Sequence, residues 1–154
     1  MKFSKSFLRA KAAARLKYSM PKKPTFEYTT ASNGRYVKHG TSLLENRTLD
    51  VLGIKVRSKV IIVFGKTYVV DGFIPETNTI VEINGSYWHG DLRVYKPNGY
   101  NVQCKKTFAQ LNYETRAKYQ LWKDCGYRVL YAWEKDLNAG NIILKEFKSI
   151  NDPL

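Results

Sequence analysis

Apolar residues change their spacing several times along this chain, and each change marks a different element. Thr41-Ser42-Leu43-Leu44-Glu45 opens a predicted helix, with a hydroxyl able to cap free amides and Glu45 near the positive end of the dipole. Leu43, Leu44, Leu49 and Leu52 continue its apolar stripe, and Gly53 stops it. The pattern then turns to strands. Val60-Ile61-Ile62-Val63-Phe64 is a solid apolar block within 56–64, Gly65-Lys66 is the predicted two-residue turn, 67–74 returns, and 79–84 follows a turn begun by Pro75. These runs predict an antiparallel meander, buried at its centre. Polar residues fill 90–106, with Pro97-Asn98-Gly99 as a loop signal. Helical spacing resumes over 107–125 through Phe108, Leu111, Tyr119 and Trp122, and Gly126 is placed to end it. "YRVLYAW", 127–133, reads as a buried strand, and 134–149 as a closing helix with Leu137, Ile142, Ile143 and Phe147 turned inward. The order α, β, β, β, α, β, α predicts an α/β fold, a mixed β-sheet flanked by helices.

Charge adds a partner to this outline. The chain has 154 residues, room for one domain and appendages, and a net charge of +13. Such a charge points to a polyanion or an anionic membrane surface, with nucleic acid the first choice. Residues 1–24 form a cationic arm with Lys2, Lys5, Arg9, Lys11, Arg15, Lys17, Lys22 and Lys23 and no acid. Phe3, Phe7 and Leu8 at helical spacing predict a short amphipathic helix there, ending before Pro21. The arm is expected to contact nucleic acid, although a solubilising tail or a transit-like peptide has the same composition. Lys105 and Lys106, near Tyr95, Lys96 and Tyr100, make a loop suited to phosphate contact and base stacking. Cys104 and Cys125 are too few for a disulfide framework and lack C-x-x-C spacing, so reduced thiols and no zinc are expected. No apolar run approaches the ~20 residues that cross a bilayer. The expectation is a soluble, cytoplasmic protein with no membrane partner and no small-molecule cofactor.

The chemistry concentrates in "VVDGFIPETNTIVEINGSYWHGD", 69–91. Asp71 lies near the end of one predicted strand, and Glu82 and Asn84 share one face of the next because side chains alternate. Strand pairing brings Asp71 and Glu82 within reach of one cation. Adjacent carboxylates repel unless neutralised, and Mg²⁺, for which Mn²⁺ can substitute, takes one or two carboxylates plus water and phosphate oxygens. His89 emerges where the strand ends, with an ordinary pKa suited to accepting a proton from water. The set matches metal-assisted phosphodiester hydrolysis. Each residue alone has an ordinary reading: Asp71 as a turn cap, Glu82 in a salt bridge, His89 on the surface. Several together beside a predicted sheet in a basic protein favour chemistry. Glu76, at the turn, is expected to be solvated.

Asp-x₁₀-Glu-x-Asn is similar to the Asp…(Asp/Glu)-x-Lys pattern of the restriction-endonuclease-like fold, with Asn84 where lysine is usual and His89 the expected substitute for the missing cation. "NGSYWHGD" resembles the "HGCFWH" segment of very short patch repair endonucleases and the "NGDYWH" segment of related phage and intron-borne homing endonucleases. "TSLLENRTLDVLGI" resembles that group's helix with Ser-x-x-Glu, and "CGYRVLYAWEKDL" resembles its closing "GWRVLxVWE". The resemblance implies a restriction-endonuclease-like domain over 25–154 and a Mg²⁺-dependent endonuclease of the homing or mobile-element kind acting on double-stranded DNA. The homing group's Glu, Asp, variable, His, Asp order falls on Glu45, Asp71, Ile83, His89 and Asp91. By that resemblance Asp71 and the Ile83 main-chain carbonyl bind the metal and His89 activates water. Glu45 then lies over the site, and Asp91 fixes the His89 tautomer or assists the metal. Glu82 stays a candidate ligand, and alternation leaves Ile83 only its backbone to offer. Glu114 is expected in a structural salt bridge. Relatives insert aromatics beside a mismatch, yet Trp88, at a strand end, is expected in the core. Asp91 replaces a zinc-binding histidine of the repair enzymes, which again implies no zinc. A non-catalytic nucleic-acid-binding protein keeping the fold, or a nuclease processing branched DNA or RNA, remain the alternatives.

Overall fold

The computed structural model of the chain describes residues 27–30, 36–39 and 43–154, the first two segments by their backbone alone. The cationic arm with Lys2, Lys5, Arg9, Lys11, Arg15, Lys17, Lys22 and Lys23, and the helix-opening pair Thr41-Ser42, lie outside the described residues. β1, Glu27–Thr30, and β2, Tyr36–His39, form an antiparallel ribbon that hydrophobic spacing does not predict. The predicted helix follows as α1, Leu43–Val51, ending at Gly53 with φ +70°.

Alternation builds the sheet next. β3, Val56–Val63, β4, Lys66–Ile74, and β5, Thr79–Asn84, form the expected antiparallel meander. Its first turn is Phe64-Gly65, one residue earlier than predicted, since Val63 pairs with Lys66. Both turn residues have positive φ, the combination that matches the twist of a two-residue hairpin. Asn78, also left-handed, closes the Pro75–Thr77 turn. α2, Ser86–His89, is a single turn. The short strands β6, Tyr100–Asn101, and β7, Lys106–Thr107, pair within the polar loop and lead into α3, Phe108–Asp124. Thr107 and Gln110 close a capping box at the start of α3, with each side chain bonded to the other's backbone N–H.

α3 carries the chain to β8, Arg128–Trp133, which pairs parallel to β5 from Thr79↔Arg128 to Asn84↔Trp133. Such a crossover needs a long connection, and the 107–126 segment supplies it. The predicted closing helix is corrected. Only α4, Glu134–Asn138, is helical, and the chain then returns as edge strand β9, Lys145–Glu146, antiparallel to β8. Leu137 packs on one face of the sheet and Phe147 on the other, which one continuous helix could not do. The result is a mixed α/β arrangement with sheet order β3-β4-β5-β8-β9. Among the described residues no helix is long and apolar enough to cross a membrane.

Period-two alternation divides the interior between the sheet's faces. Ile80, Val129, Tyr131 and Trp133 join Tyr119 and Trp122 of α3 on one side. Val81, Ile83 and Ala132 join Leu49 of α1 and Leu137 of α4 on the other. Gly72 allows the second contact: a Cβ there would stand 2.9 Å from Leu49 Cδ2 and 3.0 Å from Ile54 Cγ2. At the hairpin tip the packing ends, leaving Ile62 71 % and Phe64 78 % exposed. Leu49 is fully buried against this close approach. Leu49→Ala should therefore cost about 2–5 kcal/mol of stability, read by urea unfolding.

Candidate active site

β4 and β5 pair only over Gly72–Ile74 and Thr79–Val81. Beyond Gly72 and Val81 the ladder ends, and each strand's carboxylate accepts an amide of the other strand. The Asp71 N–H donates to Glu82 Oε1 at 3.2 Å, and the Ile83 N–H donates to Asp71 Oδ2 at 2.7 Å. β3 is irregular at the same level. Its pairing with β4 passes from Arg57↔Gly72 to Lys59↔Val70, and the intervening Ser58 has φ +49°, uncommon for a residue with a Cβ. Asp71 thus sits where regular pairing fails on both sides, with Glu82 held against it.

Two carboxylates in so small a space disfavour ionisation. Burial pushes the Asp71 carboxyl well above its ordinary value, and the charges of Glu82 and Glu45 push it further. The charge of Glu45, in the first turn of α1, therefore reaches Asp71. Glu82 is 5 % exposed and faces α3, where Lys118 Nζ lies 3.1 Å from its Oε2. The cation expected from His89 is supplied by Lys118. Ile83 turns its side chain into the opposite core, so it can offer only backbone, and its N–H is already given to Asp71. Asn84 does not replace the lysine either: it is fully buried and its Oδ1 accepts the Tyr119 hydroxyl at 2.6 Å.

His89 ends α2, and several elements pin that turn. Glu134 Oε2, at the start of α4, accepts the Ser86 N–H at 3.0 Å. Asn101 Nδ2 donates to the Tyr87 carbonyl at 2.9 Å, and Asn112 Nδ2 of α3 donates to the Gly90 carbonyl at 3.0 Å. Gly90 has φ +69°, and a Cβ there would lie 2.3 Å from the Phe108 carbonyl oxygen, so only glycine lets α2 lie against α3. His89 Nδ1 lies 3.2 Å from Thr115 Oγ1. Burial first, and the positive charge of Lys118 second, lower its pKa from 6.5 to about 4, so the imidazole is neutral at physiological pH.

Asp91, expected to fix the His89 tautomer or assist the metal, is bonded to Arg93 and Ser86. Its carboxylate is fully buried and accepts from Arg93 Nε at 3.0 Å and Nη2 at 2.9 Å, and Ser86 Oγ donates to it at 3.4 Å. Arg93 continues to Asp136 at 3.0 Å, tying the loop to α4. Asp91 braces the loop after His89, and the partner on the imidazole is Thr115. Trp88 is corrected: it is 54 % exposed beside His89, since the one-turn helix points it away from the sheet. Lys106 pairs with Glu114 at 2.7 Å, as expected for the acid, while Lys105 is exposed. Tyr95 stacks on Phe108 at 4.2 Å, leaving Tyr100 as the outward aromatic of that loop.

Lys118, Thr115 and Glu134 are thus the site residues missed by sequence reasoning. A signal existed for the first two. Leu111, Thr115, Lys118, Tyr119 and Trp122 recur at the spacing of one helical face, and a lysine and a threonine on an apolar stripe call for inward partners. Among the described residues no group of three or more His, Cys, Asp or Glu forms a ready metal cage. The convergence of Asp71 and Glu82 instead suits a hard cation that keeps water and phosphate oxygens.

The raised Asp71 pKa fixes a sign. Below the ordinary carboxylate value of 3.8 the group is protonated folded and unfolded, and it contributes nothing. As pH rises past that value the unfolded chain ionises first, so the fold loses stability until Asp71 itself ionises. Asp71→Asn should therefore raise the unfolding temperature at neutral pH in EDTA, with the gain vanishing near pH 3; calorimetry across pH checks it. In comparisons with known proteins, the chain matches no family model, no curated protein and no solved structure.

Proposed function

We propose that the chain is a divalent-metal-dependent endonuclease that hydrolyses phosphodiester bonds of double-stranded DNA. On this reading the sheet and helices are a restriction-endonuclease-like fold of the very short patch repair and homing kind. One observation carries it: two carboxylates meet where β4 and β5 part, and Lys118, which pairs with Glu82, also acts by its charge on the neutral imidazole of His89. Such a set suits phosphoryl chemistry, because the acids hold a cation, the lysine offsets phosphate charge, and a neutral imidazole accepts a proton.

Asp71 and Glu82 would hold Mg²⁺ through their carboxylates, with the Ile83 carbonyl added by the family resemblance. The ion supplies charge stabilisation at the phosphate and eases ionisation of water. Burial and mutual repulsion make the carboxylate pair fit such an ion, since a cation relieves what raises the Asp71 pKa. Lys118 stays on Glu82 or turns to the incoming phosphate. His89 takes the proton from the attacking water. Trp88, exposed next to His89, offers an aromatic face to bases at the cut, and Lys105 meets the flanking backbone. Lys106, paired with Glu114, adds little to that contact.

Supercoiled plasmid and purified full-length protein provide the test. Nicking should occur with Mg²⁺ or Mn²⁺ and stop in EDTA. Asp71→Ala and His89→Ala should each lower the rate by about a hundredfold or more, and Lys118→Ala should also lower it. Salt-sensitive binding without cleavage in any divalent ion would instead identify a non-catalytic DNA-binding protein.

A further inference from the structure

We infer that Thr115 is a positioning residue that fixes His89 as the tautomer protonated on Nδ1, leaving the lone pair on Nε2 as the proton acceptor of the site. This rests on the nuclease reading for its catalytic meaning, but the tautomer follows from hydrogen-bond accounting alone.

A threonine hydroxyl has one hydrogen and two lone pairs. Thr115 Oγ1 lies 3.0 Å from the Leu111 carbonyl, one turn back along α3, and 3.2 Å from His89 Nδ1. If the hydroxyl hydrogen goes to Leu111, the oxygen can only accept from the imidazole, and Nδ1 must carry a hydrogen. Two hydrogen bonds result. If the hydrogen goes to Nδ1 instead, the hydroxyl makes one bond and the second is lost. A buried hydroxyl gains from the two-bond arrangement, and Thr115 is 5 % exposed. Nε2 has no hydrogen-bond partner among the described residues that would oppose this choice. The resulting tautomer is the less common one of free histidine, so its presence is diagnostic.

Thr115 is neutral, whereas the only carboxylate near in sequence, Asp91, is occupied by Arg93 and Ser86. The hydroxyl therefore orients the ring without adding a negative charge that would hold the imidazole protonated. Both atoms are fixed in place: Thr115 by its position on α3, and the turn that carries His89 by the bond from Asn112 of the same helix to Gly90 and by the Glu134 bond to Ser86. Lys118 lies one turn beyond Thr115 on α3, so the orienting hydroxyl and the cation of the site share one rigid element.

The chain has two histidines, His39 and His89, which makes a direct test practical. Long-range ¹H–¹⁵N correlation of ¹⁵N-labelled full-length protein at neutral pH, assigned with His39→Gln, reads which ring nitrogen bears the hydrogen. For His89, Nδ1 should show a protonated and Nε2 an unprotonated shift. Thr115→Ser should keep that pattern, and Thr115→Val should lose it. With Mg²⁺ and plasmid, Thr115→Val should nick at least about tenfold slower, with Thr115→Ser close to the parent rate. A protonated Nε2 in the parent protein overturns the inference, even if Thr115→Val fails to fold. Thr115→Val that changes tautomer without slowing nicking overturns the positioning role. A parent protein that shows the tautomer but nicks no plasmid overturns the nuclease reading and leaves the tautomer assignment standing.

Discussion

Everything at the centre of this molecule follows from the difficulty of keeping Asp71 and Glu82 side by side away from water. Like charges in a poorly hydrated site repel, and neither side chain would stay put on a regular ladder. The chain answers by giving up backbone pairing at that level. The Asp71 amide bonds the Glu82 carboxylate and the Ile83 amide bonds the Asp71 carboxylate, in place of a backbone pairing of Asp71 with Glu82. Ser58 takes an unusual φ opposite, and Lys118 reaches across from α3 to balance part of the charge. The unpaired strand ends are therefore the means by which the acids are held.

The parallel pairing of β5 with β8 brings the rest of the set to the same place. Both strands finish at one end of the sheet, so the turn after β5 carries His89 and the residue after β8 is Glu134, which holds that turn. α3, the crossover between them, passes over the α3-side face with Glu82 and Asn84 beneath it. Its inward polar residues, Asn112, Thr115 and Lys118, each meet a different part of the site. One helix thus sets the relative positions of the loop, the imidazole and the cation.

Much of the scaffold was legible in the amino-acid sequence because periodicity and packing agree there. The strand block at Val60, the alternation through Glu82 and the helix stop at Gly126 each have a local cause. The closing segment was not legible, because Leu137 and Phe147 look like one stripe in sequence but serve opposite faces of the sheet. Within the site, Asp71 and Glu82 came from strand alternation, His89 from its titration range and its place at the strand end, and Glu45 and Asp91 from family likeness. The actual work of Asp91 was hidden because Arg93, only two residues on, reads as a surface cation until its contacts are known. Trp88 was misplaced because it was read as lying at a strand end, whereas 86–89 is a single helical turn that leaves it exposed.

The hairpin that braces Asp71 also has an open side. Among the described residues β3 is an outermost strand that pairs only with β4, and Val60 and Ile62 of the strand, with Phe64 of the turn after it, are exposed to solvent. Such an edge invites another copy to add its own strand. The chain's net charge of +13 opposes that approach by repulsion between molecules, and the repulsion weakens as salt screens it. Colloidal stability is thereby tied to ionic strength: the charge that keeps copies of the chain apart is weakened as salt screens it.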